Sequence, residues 1–411
     1  MRRWSQLSAR RTFAWDQWRA VGNGISESFG TTFFLLIAIE FFRAGTWIQA
    51  CVASGGFLGM VLSPVLVFWV RQFRFPISLA CAYLCFLAMG VLMLPVVFPL
   101  VGVYVVAGIL ALICATGCIP LMTQIYQQNY PNRKRGTLFG AVNRIKVMSL
   151  AVCSGGTGLL LKWDIGMVPV YLAWVSAAFG LAGYAFYRIP SRPLQPEPGH
   201  YPYRSLRLLK QNRKFLWLII VWMFMGFGNL MTMPLRIKVL VEERFGFEYS
   251  PAVVALLTGV IPPLTIFVFT GIWGRLFDRM NFFLLRMILN LLFMVSIGSY
   301  FLIGSLAGFV FGSFMLGLAF AGGNVAWSLW VTKIAPAGEV ADYMSVHTMM
   351  TGVRGLLAPL VAIPLVEVVP LPWVIGISLG LVFISVLMLV PEVKTLHRRR
   401  KAYPLNEEIH E

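Results

Sequence analysis

Charge is scarce in this sequence. Only 12% of its 411 residues are Asp, Glu, Lys or Arg, about half the share of ordinary soluble domains. Acids are the scarcer sign, 16 against 34 Lys and Arg, which leaves a formal net charge of +18. With 58% hydrophobic residues and a mean hydropathy of +0.77, a soluble particle of 46.0 kDa could not cover its surface with polar groups. The same shortage excludes disorder, coiled coil and ordinary soluble enzyme folds. No glycine-rich loop ends in Lys-Ser/Thr, so ATP-driven transport would need another subunit. No metal-ligand cluster and no nucleophile–base constellation is visible, so neither a metal, a cofactor nor an enzymatic activity is expected. Cys51, Cys81, Cys85, Cys114, Cys118 and Cys153 all lie inside apolar runs without C-x-x-C spacing. They read as buried small hydrophobes.

What the sequence has instead is long apolar runs. A helix needs about 20 such residues to cross the hydrocarbon core. The first half offers 20–41, 46–70, 75–96, 100–127, 137–161 and 165–188. The second offers 214–238, 252–274, 281–303, 307–332, 341–366 and 371–391. The expectation is an all-α membrane protein of twelve spans. It divides into an N-terminal six-helix bundle (20–188), a cytoplasmic linker rich in Pro and Arg (189–213) and a C-terminal six-helix bundle (214–391). A cytoplasmic tail (392–411) completes the chain. Residues 1–19 carry five Arg beside Trp4, Trp15 and Trp18 with no apolar core, which suggests an interfacial segment and no cleavable signal.

Loop charge orients the chain. With both termini inside, 28 of the 34 basic residues fall on inner segments, Arg286 among them, and five fall outside. Arg354 remains near a span centre. The surplus then faces anionic lipid headgroups, not nucleic acid. Compact loops suit a bacterial inner membrane, and a monomer is the default.

Three stretches carry a family signal. After the eighth span stands Gly274-Arg-Leu-Phe-Asp278-Arg279-Met-Asn281. Pro131-Asn-Arg-Lys-Arg135-Gly136 enters the fifth span, and Pro336-Ala-Gly-Glu339 enters the eleventh. With the six-plus-six layout, these resemble the major facilitator superfamily, whose loop motif reads G-x-x-x-D-R/K-x-G. The resemblance implies two pseudo-symmetric bundles and alternating access, with a small residue at Gly274 letting helices approach and Asp278 with Arg279 tying the loop. It also implies that spans 1, 4, 7 and 10 line a central cavity. Two departures stand out. The first-half loop, Phe68-Trp-Val-Arg71-Gln-Phe-Arg74, has no Asp, and Ser154-Gly155-Gly156-Thr157-Gly158 replaces the Gly-Pro motif of drug exporters. The degenerate loop suggests swapped charges, with Arg71 and Arg74 meeting Glu339 and Asp342 on span 11. Asp278 would likewise meet 133–135 or the start of span 5. These would be cytoplasmic latches favouring an outward-open state.

Polar groups inside spans are costly and tend to face a cavity or a partner. Among the acids only Glu27 lies well inside a span. At ~1.5 Å per residue it sits about 10 Å from the inner end of span 1, level with Arg144 on span 5 and His347 on span 11. Glu27 is expected to meet Arg144, either as a proton-coupling carboxylate or as a fixed ion pair. His347 would relay protons or pack. Helical spacing groups Asn23, Glu27 and Thr31; Thr123 and Gln127; Asn229, Thr232 and Arg236; Asn324, Ser328 and Thr332; and His347, Thr351 and Arg354. The set points to a cavity whose binding residues are Asn23, Glu27, Gln127, Asn229, Asn324 and Arg354. The coupling set is Glu27, Arg144 and His347. A cavity with more cations than acids leans towards an anionic or zwitterionic small organic solute.

These observations leave two function classes. One is a secondary active transporter with a small-molecule substrate. The other is a non-transporting assembly factor or sensor on the same fold. The cavity stripes favour transport.

Overall fold

The computed structural model describes residues 2–131, 135–194, 201, 203–333, 335 and 340–402. Of these it leaves out the side chains of 2–7, 127, 135–137, 278, 328–329, 332–333, 340–342 and 394–402. The described chain is almost wholly helical. In order run α1 (Arg2–Ser28), α2 (Phe34–Glu40), α3 (Thr46–Gly55), α4 (Leu58–Phe73), α5 (Ile77–Val97), α6 (Val101–Asn129), α7 (Arg135–Trp163) and α8 (Val168–Arg188). The second series is α9 (Leu208–Gln211), α10 (Arg213–Val241), α11 (Pro251–Ala255), α12 (Ile261–Arg279), α13 (Phe282–Leu302), α14 (Leu306–Leu329), α15 (Val340–Val368) and α16 (Leu371–Ala402).

Local chemistry starts several of these helices. Asn212 Oδ1 accepts from the Phe215 amide to cap α10, and Asn281 Oδ1 accepts from the Phe283 and Leu284 amides to cap α13. Pro251 opens α11, where its missing N–H is no loss. Arg74 ends α4 in the left-handed region at φ +53°.

Ten helices among the described residues are long and apolar enough to cross a membrane. An eleventh is the pair α3–α4 taken as one span bent by 42°. The protein is therefore integral and multi-pass. The expected twelfth, 20–41, is not among them. There a π turn at Phe29–Phe33 separates the long, largely polar α1 from the short α2. A second π turn, Leu256–Val260, joins α11 to α12. The two turns touch, with Thr32 and Thr258 hydroxyls 3.2 Å apart.

Packing repeats between the halves. α1 lies against α7 and α8, as α10 lies against α15 and α16. α5 pairs with α6 and α8, as α13 pairs with α14 and α16. α4 crosses α6 as α12 crosses α14. The halves meet through α3 and α4 on α15, and through α7 on α11 and α12. Glycine permits one such crossing: a Cβ at Gly355 would overlap the Phe57 ring.

The opening segment departs from expectation. In place of an interfacial stretch over 1–19, α1 runs from Arg2 without a break, and Thr12, Asp16 and Arg19 are buried. Their partners lie on and just after α6 and on α8, so the segment is core at one end of the first bundle. That end, holding Arg19, Tyr130 and Arg188, is the basic end below. The far end holds Glu40, Glu242 and Glu367.

Candidate functional site

The two ends of the bundle are built differently. At the far end one apolar core spans both halves. Phe33, Ile37 and Tyr171 of the first share it with Ile237, Leu240, Val254 and Tyr300 of the second. A Cβ on Gly158 would meet Ala255 at 2.5 Å, so α7 and α11 are in close contact there. At the basic end the buried cores are separate among the described residues. One cluster, with Ile77, Ile125 and Phe186, belongs to the first half alone. Phe215, Phe282, Trp330 and Tyr343 belong to the second.

Polar groups fasten the far end. Lys238, buried on α10, pairs with Glu242 and lies 3.1 Å from Glu367. Arg244 grips Glu367 through both terminal nitrogens at 2.7 and 3.1 Å and donates to Glu242 at 3.0 Å. Gln49 of α3 ties this cluster to the first half. Its Oε1 accepts from Lys238 Nζ at 2.6 Å and its Nε2 donates to Glu242 at 3.4 Å. A lysine ammonium so deeply buried needs this many acceptors to offset its lost hydration. Sequence reasoning counted Lys238 and Arg244 as outer loop charges and missed the lock. The signal was there in the i, i+4 spacing of Lys238 and Glu242.

The latches expected at the basic end fall largely on residues outside those described. Among the described residues, nothing lies within 4 Å of where a Cβ on Gly274 would stand. Arg279 and Arg74 are exposed and Arg71 is half-buried. The side chains of Asp278 and Asp342, and all of Glu339, lie outside the described residues.

Between these ends a polar surface is accessible on α1, α6, α7 and α14. Glu27 keeps 40% of its side chain accessible, and Thr31, Thr123, Arg144 and Asn324 are exposed. Asn23 is half-buried on the same face of α1 as Glu27. Glu27 does not pair with Arg144. Its carboxylate lies 2.8 Å from Lys146 Nζ, two residues further along α7. Arg144 turns instead across the interface, 5.9 Å from the Phe267 ring of α12. The expected pairing failed because matched depth does not fix azimuth: two residues on a helix are about 200° apart.

On the second half, Asn229, Arg236, His347 and Arg354 are core. Asn229 is 5% exposed with Oδ1 unpartnered. Arg236 does not face a cavity. It stacks 4.4 Å over Tyr300 and donates to Ser296 at 2.9 Å on α13. His347 is buried among Trp222, Trp327 and Trp330, with ring centroids at 4.9, 5.3 and 5.1 Å. Arg354 is also buried. It donates to the Trp222 carbonyl and, at 3.1 Å, to Thr351 Oγ1, in a notch left by Gly226. Arg286, counted from sequence as an inner loop base, is 2% exposed and lies 3.7 Å from the Trp222 ring. Its burial was hidden because it stands only five residues past the Asn281 cap. The side chain of Gln127 is not among those described.

The first half has its own buried charge at the basic end. Asp16, fully buried, lies 2.5 Å from Arg19 Nε and accepts from Tyr130 Oη at 3.0 Å. Arg19 also donates to Tyr126 at 3.1 Å. Burial, with the Asp16 carboxylate beside it, pushes the Tyr130 phenol up. Asn129 binds Thr12 and the Pro190 carbonyl at 2.9 and 2.6 Å.

No family model and no curated protein matches the chain. Solved structures do. The nucleoside transporter NupG superposes with a TM-score of 0.71 at 14% identity over 95% of this chain and 99% of that one. A POT family transporter, solved with a thioalcohol-conjugated peptide, gives 0.72 at 11% identity, covering 94% and 96%. The D-xylose–proton symporter gives 0.63 at 15%, again over 94% and 96%. At such identities the likeness speaks for the fold. These neighbours are transporters of the major facilitator type, and the chain shares their fold, with no subfamily assigned.

Proposed function

We propose that the protein is a secondary active transporter that moves a small organic solute, anionic or zwitterionic, by alternating access. The observation that carries this reading is the pairing of a closed far end with an accessible polar surface around Glu27 and Lys146. Ionisable groups that stay wet within apolar spans mark an aqueous path. A joined far end and separate basic-end cores describe one of the two states that alternation requires. Both termini lie in the cytoplasm on this reading, so the open end is the inward one, and a bacterial inner membrane suits the loop charge. The chain works as a monomer among anionic lipids.

Glu27 is the coupling group. It accepts a proton when Lys146 moves away and releases it when the pair re-forms, which links solute passage to proton flow. Asn23, Asn324 and Gln127 contribute contacts to the solute. His347, caged by three tryptophans, packs and does not relay protons. The transporters of similar fold, which carry a nucleoside, a peptide or a sugar with a proton, widen the panel of solutes to try.

The test is proton exchange on solute addition. The full chain in weak buffer receives nucleosides, short peptides, sugars and carboxylic acids beside a Glu27→Gln variant. The expected result is a solute-dependent pH change in the parent that the variant lacks. Binding with unchanged proton exchange in the variant would remove Glu27 as the coupling group. Binding of nothing in the panel would count against transport.

A further inference from the structure

The second half buries cations that pair with no acid among the described residues. Arg286 and Arg354 both face Trp222, at 3.7 and 5.7 Å from its ring, and His347 packs on the same indole. None of the ion pairs among the described residues includes any of the three. Four polar atoms of the cluster have no hydrogen-bond partner: Arg286 Nη2, Arg354 Nε, His347 Nε2 and Trp330 Nε1. Three of these are obligate donors, and the histidine can serve as a fourth. Buried donors are rarely left unmade, and two guanidiniums in one apolar cage repel each other. Indole faces soften that repulsion but cannot accept in line from so many N–H groups. A ligand that answers these donors must be negative and rich in acceptor oxygens.

We propose that Arg286, Arg354, His347 and Trp330 form a binding site for an oxyanion, a carboxylate or phosphate group, at the inner end of the C-terminal bundle. Guanidinium forks suit planar or tetrahedral oxyanions. Trp327 is the half-buried ring of this cage, and Asn324, one turn away on α14, is exposed. The anion enters past that face. Its source is either the anionic end of a transported solute or the headgroup of an anionic lipid in the inner leaflet. As a solute site the proposal rests on the transport reading; as an anion site it does not.

The probe is inorganic phosphate, titrated by calorimetry into the full chain in neutral detergent. Saturable binding is expected. Arg354→Gln or Arg286→Gln should weaken it about 10- to 100-fold, the range for losing a charged hydrogen bond. Trp330→Phe keeps the ring, removes one donor, and should weaken binding about 3- to 10-fold. Arg236→Gln, which alters a buried arginine stacked on Tyr300, should leave phosphate binding unchanged. Repeating the titration in phosphatidylcholine nanodiscs with and without phosphatidylglycerol separates the sources. Competition by phosphatidylglycerol names the headgroup, and indifference names a free anion. No saturable binding in either setting, or equal affinity in folded Trp330→Phe and Arg286→Gln, would overturn the site. Phosphate binding with no solute of the panel bound keeps the site and counts against the transport reading. Proton exchange without phosphate or lipid binding removes the site alone.

Discussion

The two bundles share a packing plan, yet their basic ends solve buried charge in opposite ways. In the first half Arg19 is met by Asp16 and Tyr126, and Tyr130 donates to the same carboxylate. In the second, Arg286 and Arg354 lean on Trp222 and meet no carboxylate among the described residues. Repeated architecture thus fixes where helices touch and leaves the charge at each contact free to diverge. A closed ion pair makes one end a rigid foundation, whereas an open set of donors makes the other a place for something to bind.

The largest expected effect breaks this contrast directly. Asp16→Asn leaves Arg19 buried without its counter-charge and should cost about 3–5 kcal/mol of stability, the range for a broken buried pair. Arg286→Gln removes a cation that pairs with no carboxylate among the described residues, so in anion-free detergent its melting temperature should equal or exceed the parent's. Equal losses in the two variants would erase the distinction. A smaller effect tests the joint between halves. Gly355→Ala forces a methyl into the Phe57 ring and should cost about 1–3 kcal/mol, as overpacking does. Adding Phe57→Leu should return part of it, and a silent Gly355→Ala would mean that Phe57 and α15 are not in contact in solution. Least disturbed is Glu27→Gln. An ion pair with 40% and 28% of its side chains accessible is worth about 0–1 kcal/mol. The variant should therefore melt like the parent while solute-linked proton exchange is abolished. A large loss of stability would recast Glu27 as structural.

Much of this architecture was legible in the sequence, because bilayer crossing demands long apolar runs and little else. The spans at 75–96, 100–127, 214–238 and 281–303 correspond closely to α5, α6, α10 and α13. The first stretch resisted, since α1 is polar for most of its length and a π turn breaks its continuation into α2. Glu27 stood out as an acid inside a span, but its partner did not. Lys146 and Arg144 are similarly deep, and azimuth around a helix comes from packing, not spacing. Arg286 and Asp16 were misplaced for a related reason. Charge near a helix end reads as loop, and only the neighbours' bulk decides whether it is covered. The far-end lock was invisible as a whole because it gathers Gln49 of α3, Lys238 of α10 and Glu367 of α15, which lie far apart in sequence.

Alternation itself can be measured without knowing the solute. Spin labels at Trp163 and Ile303, exposed far-end positions on opposite halves, would report separation by pulsed dipolar spectroscopy after the accessible Cys51 and Cys153 are replaced. In the parent the account predicts a dominant short distance, with the far end closed by Lys238, Glu242 and Gln49. Lys238→Met should add a longer-distance population as that lock fails. A single distance, unmoved by Lys238→Met, would mean that the lock does not hold the far end shut and would contradict the alternating-access account.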